Sequence, residues 1–390
     1  MKKLIFLVIG IMIMMLSVSW ADEGSLTTDD IIASQINKLD TDELQQIMNS
    51  INQDAEGYFP SIEIKPLIFK IIKGEEVLSL KEISQAVLGY LFKEVLINWR
   101  LLGQIVILAA IYAVLSNLQS AFENDAVAKL AYTVCYLVII SITIQTFMIA
   151  INIGRDAITS MVTFMQVLLP ILLALLMAMG GIATSAFFHP VLLASIGLIG
   201  TIIQNVVLPL IFFSAILAVI NNFTHKIQIT KLASLLKQAA IVILGFVLTT
   251  FVGIITIQGI TASTVDGITI RTAKFAVDKF IPVVGGFLSD AVDTVIGCSL
   301  LLKNAVGAIG LLTIFLICLI PMIKILALVI IYKLSAAIIE PIADKQLVDC
   351  LNSMSNSLVI LFATVSSVAI MFFITITIIV ATGNITVMMR

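Results

Sequence analysis

The sequence predicts an all-α polytopic membrane protein, and three observations carry that prediction. Of 390 residues, 60% are hydrophobic and only 12% charged, with a mean hydropathy of +1.14. A soluble chain carries about twice that share of charge. About seven apolar runs are each long enough to cross a hydrocarbon core. The chain also opens as a secretory signal does, with Lys2 and Lys3, an apolar run over 4–16, and small residues at Ser19 and Ala21.

That first apolar run is short for a span, so residues 1–21 read as a signal peptide cleaved after Ala21, with an uncleaved anchor as the alternative. Residues 22–100 have ordinary polarity and read as a small helical region outside the cytoplasm. In it, LDTDELQQIMNSINQ (39–53) puts acids in its first turn and Leu44, Ile47, Met48 and Ile51 at helical spacing. Gly57 to Pro60 breaks the pattern, and 80–97 resumes it with Ile83, Val87, Leu88, Leu91 and Val95. A region this small, apolar along one face, needs a partner or the membrane domain to pack against.

Residues 101–390 form the transmembrane domain, with spans expected at 101–118, 130–151, 161–179, 191–220, 239–258, 305–331 and 358–381. Two of these, bent near Pro209 and Pro321, exceed the membrane's thickness and need a tilt or a break. An internal repeat is visible. Ile142-Thr-Ile-Gln145 recurs as Ile255-Thr-Ile-Gln258 and Ile196-Gly197 as Ile309-Gly310, both at an offset of 113. Pro209 returns as Pro321, Arg155 as Arg271, and the Gly180-Gly181 pair as Gly285-Gly286, in the same order at similar offsets. A period this long suits nested transporter-like units, and the distribution of Lys and Arg leaves inverted and parallel arrangements both open.

The stretch 266–304 interrupts the lipid-like chain. Four acids (Asp266, Asp278, Asp290, Asp293) and four bases (Arg271, Lys274, Lys279, Lys303) balance in it. Arg271, Lys274 and Asp278 share one helical face opposite Ile270, Ala273, Val277 and Phe280. Beyond Pro282 and Gly285-Gly286, Leu288, Val292, Val295 and Ser299 oppose Asp290 and Asp293. The pattern predicts an amphipathic hairpin turning at the Pro and Gly-Gly residues. It lies in the interface, dips into the membrane or lines a polar path, because non-helical backbone at depth needs protein or water around it. If it lines a path, Arg271, Lys274, Asp278, Asp290 and Asp293 are the pathway or gating candidates, and Pro282, Gly285 and Gly286 the hinge. Gln145 and Gln258, placed equivalently by the repeat, are candidates for a polar meeting point near a pseudo-symmetry axis.

The inventory for catalysis is thin. There are two histidines, His189 and His225, and the H-E-x-x-H, G-x-S-x-G and G-x-x-x-x-G-K patterns are missing. His189 reads as a helix-start residue. The four cysteines lie far apart and read as small apolar residues. No catalytic residue, metal or cofactor is expected, and a net charge of −2 predicts no nucleic-acid partner. Energised transport through this chain needs a partner that hydrolyses nucleotide, or an ion gradient.

Several strings are specific enough to carry a resemblance. Arg271-Thr-Ala-Lys-Phe275, Phe280-Ile-Pro-Val-Val-Gly285, Asp293-Thr-Val-Ile296 and Leu301-Leu-Lys-Asn304 are four of them. Leu39-Asp-Thr-Asp-Glu-Leu-Gln45, Ala186-Phe-Phe-His-Pro190 and Gln204-Asn-Val-Val-Leu-Pro-Leu210 are the others. In these the chain resembles the stage III sporulation protein AE family of endospore-forming bacteria. The resemblance implies a multi-pass protein of the mother-cell membrane around the engulfed forespore, a permease-like part of a channel or secretion-like complex needed for late forespore gene expression. It implies as partners the other proteins of the same stage III sporulation operon, among them a secretion-type ATPase and ring-forming components, and a protein of the forespore membrane. Membrane lipid surrounds such a protein, and an oligomer is compatible with it. The family supplies no catalytic residues to carry over. A stand-alone ion-coupled secondary transporter and an assembly scaffold without a pathway are the competing readings.

Overall fold

Helices in this protein end at glycines and short loops and run on through isolated charges. The computed structural model describes Ser34, Ile36 and residues 41–54, 57–58, 63–75, 79–121, 126–223, 229–280 and 285–388. The signal segment 1–21 and the hinge residue Pro282 lie outside the described residues. The helices below belong to one unit, Leu39–Arg390.

Three short helices come first: α1 (Asp42–Asp54), α2 (Ile64–Ile72) and α3 (Leu80–Ile97). α1 and α3 stand where the apolar spacing puts them. α2 is an addition, and its Ile64 N–H is capped from a distance by the Gln45 side chain of α1 at 2.9 Å. α3 starts in a capping box, in which the Ser79 hydroxyl accepts from the Glu82 N–H while the Glu82 carboxylate accepts from the Ser79 N–H.

Long helices follow: α4 (Trp99–Ala121), α5 (Ala126–Ala178), α6 (Ile182–Ile202), α7 (Leu208–Phe223), α8 (Thr230–Phe280), α9 (Gly285–Ile339) and α10 (Lys345–Met388). At 53, 51 and 55 residues, α5, α8 and α9 reach about 80 Å by the helical rise. A hydrocarbon core is about 30 Å thick.

These lengths correct the expected seven spans. Five helices among the described residues are long and apolar enough to cross, or six if α3 and α4, bent by 42° at their junction, form one span. The expected spans 130–151 and 161–179 are one helix, α5. Arg155 and Asp156 between them do not end it, because both side chains are exposed and neither breaks a backbone hydrogen bond. Gly154 beside them lets Leu361 of α10 approach to 2.9 Å of where a Cβ would stand, the close contact that small residues give membrane helices.

The span at 191–220 also changes. It begins at Ile182, so His189 and Pro190 lie inside α6, His189 exposed, rather than at a helix start. Its irregularity is a π turn over Ile203–Val207, just ahead of Pro209, where the Leu208 N–H reaches back to the Ile203 carbonyl.

The charged hairpin is a break between two long helices rather than a unit of its own. α8 runs through the first half to Phe280, and α9 begins at Gly285 and continues into the next span. α9 is central, packed on α10 and α5 and flanked by α2, α3 and α4. α8 stands outside, where Leu235, Val242, Phe246 and Ile257 are exposed, Phe246 by 72%. An apolar outer face of that kind suits lipid.

Candidate functional site: a buried charged seam

The turn between α5 and α6 is tight. Gly180 takes φ +90°, a left-handed conformation that suits glycine. A Cβ on Gly181 would press on the Leu176 carbonyl and side chain at 2.9 and 2.8 Å. With two glycines at its start, α6 has no side chain of its own to cap its first N–H groups.

Asp266 of α8 supplies the cap. Its carboxylate accepts from the Ala183 N–H through Oδ1 and from the Thr184 N–H through Oδ2, both at 2.9 Å, and the residue is 2% exposed. Each bond is charge-assisted, and the positive end of the α6 dipole adds to both. Ser185 donates to the Leu173 carbonyl at 3.2 Å and ties the same turn back onto α5.

A second buried charge lies on α9. Lys303 is fully buried, and its ammonium donates to the Val380 carbonyl at 2.7 Å and to Asn384 Oδ1 at 3.0 Å, both on α10. Glycines make the room. A Cβ on Gly383 would strike Lys303 Nζ, and one on Gly307 would strike Val380 Cγ2.

Packing joins the two charges into one seam. Next to Gly383 stands Leu176, from the end of α5. Gly259 of α8 sits against Thr382 and Ile378 of α10 and Phe188 of α6. The Thr184 hydroxyl, Gln258 Oε1 and Asn304 Oδ1 are buried here without a hydrogen-bond partner among the described residues. Neither Asp266 nor Lys303 meets an opposite charge among those residues; helix backbone and an amide satisfy them instead.

The sequence-predicted residues surround this seam unevenly. Arg271 is exposed near the end of α8 and Asp293 half-buried near the start of α9; both engage other residues. Lys274 and Asp278 lie on α8 and Asp290 on α9, with side chains outside the described residues. Gly285 and Gly286 form the first turn of α9. Gln258 reaches the seam, but Gln145 is exposed about 45 Å away along α5, so the structure does not bring the two amides together.

Asp266 and Lys303 are the residues that sequence reasoning counted in the charge balance and passed over as a site. The available signal was the solitude of Lys303 between Leu300-Leu-Leu302 and the apolar run from Ala305, since a lone charge in a membrane helix marks a functional position.

The chain matches the family model described as stage III sporulation protein AE over residues 62–383. It is 42% identical over 369 residues to the stage III sporulation protein AE of Bacillus subtilis (strain 168), a match that covers 95% of this chain and 92% of that protein. No solved structure matches the chain.

Proposed function

Because the chain belongs to the stage III sporulation protein AE family, and so is a sporulation membrane protein, we propose that it is the permease-like component of a channel or secretion-like complex joining mother cell to forespore. In this reading it sits in the outer forespore membrane, on the mother-cell side. It works with other proteins of the stage III sporulation A operon, including a secretion-type ATPase and ring-forming components, and with a partner in the forespore membrane. The complex supports late forespore gene expression.

One observation carries the pathway reading: two full charges, Asp266 and Lys303, are buried at 2% and 0% exposure in a chain that otherwise suits lipid. Burying a charge in a membrane helix is costly, and residues that do so usually serve a function. Asp266 and Lys303 stand near the two ends of the charged stretch 266–304, one on α8 and one on α9. The seam then lines or gates a path for small polar solutes, with Arg271, Lys274, Asp278, Asp290 and Asp293 at its mouth.

The test uses a spore-forming host whose own copy is deleted and replaced by this chain. Lys303→Met keeps the length of the side chain, removes the charge and takes one donor from Asn384 Oδ1. The variant should reach the membrane at the level of the unaltered chain and fail to support a late forespore reporter. Normal reporter expression with Lys303→Met would reduce the seam to packing.

A further inference from the structure

A cavity of about 370 Å³ opens elsewhere in the bundle, between the middle of α5, the middle of α9 and the short helix α1. It shares no lining residue with the seam. Its apolar wall comes from Ile47 and Ile51 of α1, Ile153 of α5, and Leu316 and Ile320 of α9. Its polar wall carries the hydroxyls of Ser50, Thr159, Ser160 and Thr163, with one acid, Asp156, and one base, Lys324.

One irregular helix position lines this space, and a second is bonded to its wall. Pro321 lines the cavity and has no N–H to give the Ile317 carbonyl, which belongs to another lining residue. Thr159 of the polar wall accepts from the Gln204 side chain of the π turn at 3.1 Å and donates to the Arg155 carbonyl at 3.0 Å. Irregular turns of this kind gather where membrane helices bind solutes, because they turn backbone polar groups toward the ligand.

The charges point to the class of ligand. Asp156 is exposed and Lys324 half-buried, and neither side chain has a hydrogen bond or ion pair among the described residues. A simple anion or cation in the cavity would satisfy one of them and repel the other. A small solute carrying both signs satisfies both, and the hydroxyls and isoleucines accommodate the rest of it. The volume is at the small end of the range for ligand sites, which runs from roughly 300 to 1,000 Å³.

We infer that this cavity is a binding site for a small zwitterion of the α-amino acid type, with its ammonium at Asp156 and its carboxylate at Lys324. The site stands whether or not the Asp266–Lys303 seam lines a path.

Equilibrium binding to the full-length chain in lipid nanodiscs tests it, using radiolabelled common L-amino acids as probes. At least one should bind saturably at millimolar concentration or below. Taking leucine as the example, leucine amide keeps only the ammonium and isocaproate only the carboxylate. The corresponding pair for whichever amino acid binds should compete at least about tenfold more weakly, the cost of losing one charge-assisted bond. Asp156→Asn and Lys324→Gln should each weaken binding by a similar factor. Saturable binding by none of the amino acids overturns the assignment. So does equal competition by either single-charge analogue, a result read on the unaltered chain and independent of how any variant folds.

Discussion

Removing the cap that Asp266 places on α6 should open that helix's first turn by an amount the structure sets. In Asp266→Ala the N–H groups of Ala183 and Thr184 each lose a 2.9 Å bond to a carboxylate, at a site 2% exposed. Charge-assisted bonds contribute roughly 1.5–3 kcal/mol each. The low end for two is about 3 kcal/mol, above the roughly 0.5–2 kcal/mol of an ordinary helix cap. Local opening should then rise about a hundredfold, since about 1.4 kcal/mol is a factor of ten. Asp266→Asn keeps one acceptor oxygen and turns an amide donor toward the other N–H. It loses one bond at least, and opening should rise about tenfold. Hydrogen exchange read by mass spectrometry in nanodiscs measures this on a peptide covering 180–190, with a peptide from the middle of α10 as the internal standard. Protection at Ala183 and Thr184 that falls by less than about threefold in Asp266→Ala would refute the cap.

Gly383→Ala should lower the melting temperature of the detergent-solubilised chain, because the new Cβ displaces Lys303 from the Val380 carbonyl and Asn384 at a cost of roughly 2–4 kcal/mol. Adding Lys303→Met should recover part of the loss, and purely additive effects would show that the two positions are not coupled. Replacing Gly285 and Gly286 together with Leu should abolish sporulation while leaving membrane insertion intact, and normal spores from that strain would sink the hinge assignment.

Much of the fold is legible in the sequence because local rules decide it. Ser79 and Glu82 write the start of α3. What misleads is the assumption that charge ends a membrane helix. Arg155-Asp156 looks like a loop between two spans, yet exposed charged side chains leave the backbone ladder untouched, and α5 passes through. The same error separates the charged hairpin from the spans on either side. The turn after α5 is instead set by the backbone, through the positive φ of Gly180. Pro170, Pro190 and Pro321 lie inside continuous helices, each freeing one carbonyl without ending its helix.

The seam is less legible, for a reason that lies in its construction. Nothing near Gly181 in sequence suggests that α6 takes its cap from Asp266, 83 positions from Ala183. Nothing near Lys303 suggests its acceptors at Val380 and Asn384, 77 and 81 positions away. Local pattern therefore weights the other charges of 266–304, which look amphipathic, above Asp266 and Lys303. The glycines show the connection. Gly383 and Gly307 have no turn to make within their helices, and each is a place where a second chain segment occupies the space of a Cβ. A glycine inside a long apolar helix, with a lone charge on the helix facing it, is thus a recognisable sign of a buried ion. In this chain that sign separates Lys303 from the other bases of the charged stretch.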